Sequence, residues 1–287
     1  MTALESATDF ILRNARVLDR HRFARRFRDG PADAVVRALL PYRNEDGRFG
    51  QALEPDIRGP SSQPVPVEHA LLILDAVDRF ESGIVDGVLG WLTSVTTDEG
   101  GVPFVLESVD EAPHAEWWVP TGKASLNPTA GILGLLQKHD VQHPWISAAE
   151  TYCWRALDDR LDDLGPDDAI SVLTLLEHAR DRERAAAVVA RLHPRIVDEL
   201  AALDPATPGY VKSPLEFAPH PDRLARRFFD DATIEMHLAA LAAKQEADGG
   251  WPITWRPPSP AAVSEWRAFM TIKWLDVLDN YGRLIEE

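Results

Sequence analysis

Two carboxylates and a guanidinium sit close together in the segment Glu54-Pro55-Asp56-Ile57-Arg58, which Pro60 follows closely. Prolines stiffen such a loop, so an acid there is held beside a cation or orders the loop through a local salt bridge. An acid that donates a proton near neutral pH must stay protonated, which burial favours and a nearby cation opposes. Asp56 has Arg58 two residues on, so Glu54 is the preferred acid, with Asp56 and Glu116 as further candidates. Glu116 precedes the adjacent Trp117 and Trp118, and Lys123 and Asn127 follow. Tryptophans in a loop can pack over it, wall an apolar pocket, or stack on a sugar or a cation. A third set, Trp255, Glu265, Trp266 and Arg267, surrounds the start of the last helix. Arg58, Trp117, Trp118, Lys123, Trp255, Glu265, Trp266 and Arg267 are thus the candidate ligand contacts. His69 reads as a satisfied core histidine. The basic runs 20–28 and 223–227 read as solvated helix faces.

Helices must position these groups, and two kinds alternate. Trp145, Ala149, Tyr152, Cys153, Ala156 and Leu157 follow the spacing of an amphipathic helix, as do Val85, Val88, Leu89 and Leu92. The segments 70–74, 130–136 and 169–176 are apolar almost all round and follow Pro66, Pro128 and Pro166, residues suited to a first helical turn. Pairing an outer amphipathic helix with an inner apolar one predicts 31–42 with 64–80, 84–96 with 126–138, and 145–158 with 166–180. Further on come 182–203, a short helix near 219–228, and 230–246 with 260–281. The segment 4–28 supplies one more helix. The expectation is an all-α, single-domain α/α toroid over 1–287, with about five to six hairpins in an inner and an outer layer. Consecutive hairpins place their connecting loops on one rim, so Glu54, Asp56, Trp117 and Trp118 are expected to border one cavity.

With 30 basic and 46 acidic residues the formal charge is −16, which disfavours a nucleic-acid partner. The one cysteine, Cys153, excludes an internal disulfide and a cysteine zinc cluster, and suits a reducing cytoplasm. Neither a signal peptide nor a run long enough to span a membrane is apparent. No metal or cofactor is expected, and a protein partner is not specified.

The turn Gln245-Glu246-Ala247-Asp248-Gly249-Gly250-Trp251 fits a Q-x-x-x-G-x-W repeat. Arg43 to Phe49 keeps the Asp-Gly and an aromatic, and Thr97 to Phe104 keeps the Gly-Gly with the aromatic displaced to Phe104. Glycine ends the outer helix in a left-handed conformation, the aromatic packs back, and the glutamine can bond backbone groups at a neighbouring helix end. These turns resemble those of the squalene-cyclase and prenyltransferase-β superfamily. The resemblance implies a toroid with a central aromatic-lined cavity that binds or cyclises an isoprenoid. The family's zinc site needs an Asp, a Cys and a His, and Cys153 lies on a core stripe instead. The family's D-x-D-D acid motif is matched only by Phe228-Phe229-Asp230-Asp231, where Asp230 and Asp231 suit a helix N-cap. Three functions stay open: an acid-catalysed isoprenoid enzyme, a non-catalytic ligand- or protein-binding toroid, and a carbohydrate-active enzyme using two of the carboxylates.

Overall fold

The structure, a computed structural model, describes residues 2–80 and 82–284. Among the described residues there are twelve α-helices and no strand, so the fold is all-α. Two compact units form: Met1–Ala38 with Ile196–Glu287, and Leu39–Arg195.

The first unit contains α1 (Ala3–Asn14), α2 (Val17–Phe27), α10 (Pro214–Phe217), α11 (Asp231–Ala243) and α12 (Pro260–Asn280), and α3 (Ala32–Leu39) runs to its boundary. The segment 4–28 is two helices rather than one, because Ala15 and Arg16 are both extended. Asp19, buried on α2, takes up Arg16 and Arg22 at 2.8 and 2.9 Å. That pairing settles the start of α2 where no side-chain cap is made. The region 219–228 holds a 3-10 turn, Leu224–Phe228, and the short α10 precedes it. Asp230 caps α11 by accepting the Thr233 N–H at 2.7 Å, a bond that holds its carboxyl below the usual range. Its exposed neighbour Asp231 pairs with Arg226.

The second unit contains α4 (Pro64–Ala76), α5 (Ser82–Val95), α6 (Leu126–Lys138), α7 (Pro144–Arg160), α8 (Pro166–His178) and α9 (Arg182–Arg195). Proline opens α4, α7 and α8, where its missing N–H has no intrahelical partner to lose. Helix α6 packs on α4, α7 and α8 and is buried on every side from Pro128 to Gln137. The apolar α4 is not covered all round. Glu68, His69 and Asp75 are half-buried along it, and Leu72 is 44% exposed. Helix α8 likewise keeps Asp167, Ile170 and Thr174 half-buried. Cys153 is fully buried on α7, and burial pushes its thiol up, so it stays protonated.

The three glycine turns share one backbone pattern. The N–H donors of Asn44, Thr97 and Glu246 each reach the carbonyl four residues on, at 2.6, 2.9 and 2.8 Å. The N–H donors of Gly47, Gly100 and Gly249 return to the carbonyls of Asn44, Thr97 and Glu246 at 2.8, 2.9 and 2.9 Å. These glycines have φ of +87°, +97° and +91°, a conformation that opposes any side chain. Gln245 Nε2 donates to Gly249 O and to Ala3 O at the start of α1, both at 2.9 Å. Arg43 Nε makes the equivalent bond to Gly47 O at 2.9 Å. In this register Phe49, Val102 and Trp251 occupy the same buried position. Val102, not Phe104, fills the aromatic's place in the second turn. The Val102 and Trp251 N–H groups both donate to a threonine hydroxyl on the next helix, Thr129 and Thr271, at 3.0 Å.

Candidate functional site

Two loops meet over the first turn of α4. The Ala115 N–H donates to Asp56 O at 3.0 Å, and the Arg58 N–H donates to Pro113 O at 2.9 Å. Ile57, Val65 of α4, Val105, Val109, Ala115 and Trp118 form one apolar cluster, with Phe104 stacked on Trp118 at 4.8 Å. Buried Gln63, just before α4, ties in the second loop by accepting the Leu106 N–H at 2.7 Å and donating to Ser108 Oγ at 2.9 Å. The buried Trp118 Nε1 has no hydrogen-bond partner among the described residues, an uncommon state for an enclosed donor.

The next turn of α4 carries Glu68 and His69. Burial, and then the negative charge of Asp167, push the Glu68 carboxyl up to about 8 from its ordinary 4.5. The side chain still keeps some solvent access. Glycine at position 131 makes room for it: a Cβ there would lie 1.7 Å from Glu68 Oε1. Nearby on α8, Asp168 closes a capping box by accepting the Gly165 N–H at 3.2 Å, and burial raises its carboxyl. Leu72, one turn on from Glu68, extends the open face of α4 with apolar surface.

Glu54 is 1% exposed. Its Oε2 lies 3.3 Å from His69 Nδ1, and its Oε1 accepts the Asp56 N–H at 3.3 Å. Asp56 is also buried, and Arg58 donates to Pro55 O at 3.2 Å. Glu116 and Lys123 are exposed, Trp117 is 41% exposed, and Trp118 lies in the cluster beneath. The loops carrying Glu54, Asp56, Arg58 and Trp118 are therefore brought together, with Trp117 at their edge.

Trp255, Glu265, Trp266 and Arg267 belong to the other unit. Tyr210, Trp255, Trp266 and Phe269 there make successive edge-to-face contacts at 5.9, 5.1 and 5.3 Å. Glu265 lies 4.0 Å from Arg16. Arg267 clamps the glycine turn, bonding Asp248 at 2.8 Å and Glu246 at 2.5 Å, with its guanidinium over Phe10.

Glu68 is not among the residues that the sequence motifs single out. Its signal was available: an acidic residue interrupting an otherwise apolar inner helix, where a charge has no polar face to occupy. A separate hollow of about 540 Å³ lies along α7, lined by charged side chains including Asp158 and Arg184, which pair at 2.5 Å. Among the described residues no group of three or more His, Cys, Asp or Glu side chains could hold a metal ion. Nor is any described helix long and apolar enough to cross a membrane.

No protein-family model matches the chain, and no curated protein matches it significantly. Among solved structures it is similar to the crystal structure of a protein from Actinoplanes, with a TM-score of 0.63 over 98% of each chain at 15% sequence identity. At that identity the likeness establishes a shared fold and carries no activity from one protein to the other.

Proposed function

We propose that this chain is a general-acid enzyme acting on a small, largely apolar, oxygen-bearing molecule, with Glu68 as the proton donor. The reading rests on one feature: Glu68 is a half-buried carboxyl on an apolar helix, raised by burial to about 8 and accommodated by Gly131. A general acid works best with a pKa near the working pH. Such an acid is weak for protonating a bare alkene and well suited to an oxygen that leaves as carbon charge develops. Among isoprenoids, the class that the glycine turns suggest, an epoxide or an alcohol therefore fits better than a hydrocarbon. Leu72, one turn on from Glu68 on α4, supplies open apolar surface. The single buried thiol fits a reducing compartment such as the cytoplasm.

A carbohydrate substrate is the second reading. It is favoured by the charge of Asp167 acting on Glu68, since glycosidases use a carboxylic acid beside a carboxylate. Wild type and Glu68→Gln are to be assayed on terpenoid epoxides, terpenoid alcohols and nitrophenyl glycosides. Glutamine keeps the size and neutrality of the protonated carboxyl, so binding is expected to persist while turnover of an epoxide or alcohol falls by about 10²–10⁴. Turnover confined to glycosides moves the assignment to the second reading. Binding without turnover in the wild type removes the enzyme and leaves a ligand-binding protein.

A further inference from the structure

We propose that Glu54 and His69 form a carboxylate–imidazole pair that serves as the base of this same site, Glu54 positioning the ring and His69 Nε2 accepting the proton. The proposal rests on the reading of Glu68 as acid and adds the group that completes the reaction. Three observations carry it. Glu54 is buried, and both of its oxygens are directed, one to His69 Nδ1 at 3.3 Å and one to the Asp56 N–H at 3.3 Å. The His69 side chain keeps 19% of its exposure, so the ring is held at one edge while part of it reaches solvent. His69 also follows Glu68 directly on α4, so the two side chains leave one rigid element about 100° apart. A carboxylate that accepts from Nδ1–H fixes the tautomer in which Nε2 carries the lone pair.

The pair specifies a reaction that needs no second substrate. Glu68 gives its proton to the oxygen of an epoxide or alcohol as the C–O bond breaks, and the bonding electrons go to that oxygen. A proton on the neighbouring carbon passes to His69 Nε2, and its C–H electrons form the new C=C bond. An epoxide so becomes an allylic alcohol, and an alcohol becomes an alkene plus water. Imidazolium and carboxylate then exchange one proton through solvent, which restores both groups. The substrate class is thus an apolar epoxide or alcohol with a hydrogen on the adjacent carbon.

The test reads the imidazole directly. Side-chain ¹⁵N spectra of the full chain at pH 8 should show His69, assigned by its loss in His69→Gln, as the Nδ1–H tautomer. In Glu54→Gln the His69 signals should move toward the Nε2–H tautomer that free histidine prefers. An Nε2–H tautomer in the wild type overturns the pairing, as does a tautomer unchanged by Glu54→Gln. The wild-type spectrum decides even where that variant fails to fold. No substrate is involved, so this result stands or falls separately from Glu68 as proton donor. With an active substrate, His69→Gln should lower kcat by about 10²–10⁴ with little change in KM. A kcat kept within a factor of two removes His69 as the base.

Discussion

Trp251→Ala lowers the unfolding free energy by about 3–5 kcal/mol, the range for truncating a fully buried large aromatic. In a chain of this size that lowers the melting midpoint by on the order of 10 °C. The indole is enclosed, and its Nε1 donates to Leu241 O at 2.9 Å near the end of α11. Alanine leaves a cavity and removes that donor together. The equivalent place in the second turn holds the smaller Val102, so Val102→Ala deletes less volume and should cost about 1–2 kcal/mol. Urea or thermal unfolding of both variants measures the contrast. A loss below about 1 kcal/mol for Trp251→Ala would show that the turn is held by its glycine and hydrogen bonds rather than by the aromatic.

The effect of Glu68→Gln on stability grows with pH. The folded carboxyl holds its proton up to about pH 8, whereas the unfolded chain releases it near the ordinary 4.5. Between those values the folded state binds the extra proton. Its contribution is therefore complete below 4.5, falls as pH rises, and is gone above 8. Each pH unit inside the window carries about 1.4 kcal/mol at most. The residual solvent access of Glu68 reduces the total to about 2–3 kcal/mol. Glutamine does not titrate, so it removes this slope. Relative to wild type, Glu68→Gln gains stability by that amount between pH 5 and pH 9, and other titrating groups cancel in the comparison. Parallel unfolding curves for the two proteins across this range would contradict a carboxyl held neutral by burial.

Much of the helix layout was legible because its signals are local. A proline fixes its own φ, and a glycine with positive φ stops a helix wherever it stands, so the starts of α7 and α8 and the three turns follow from single residues. The 54–58 loop meets the 113–115 loop through backbone hydrogen bonds and a shared apolar cluster. What escaped reading depends on partners far along the chain. Glu68 looks like an ordinary interruption of an apolar run until Gly131 makes room for it and Asp167 adds its charge. Glu54 was expected as a proton donor because Arg58 is near Asp56 in sequence, yet its contact is His69 on α4. In the second turn, where the aromatic is displaced to Phe104, the backbone register counted from Gly100 puts Val102 in the vacated position. The break at Ala15 and Arg16 was masked because the helical apolar spacing runs through it.

The first unit joins the two ends of the described chain. Helix α12 packs on α1 and α2, Arg26 bonds Asp276 from 250 residues away, and the α1 backbone at Ser6 lies against Gly249. On the ribosome this fixes an order of events. At about 5–20 residues per second, α1 and α2 emerge on the order of tens of seconds before the helix that covers them. Phe10, Ile11, Leu18 and Phe23 form buried surface in the finished unit, and through that interval they have no α12 to pack on. The segment Leu39–Arg195 lies wholly within that interval and can complete its own core first. During synthesis α1 and α2 therefore present an open, chaperone-accessible apolar surface, which closes only when α12 arrives.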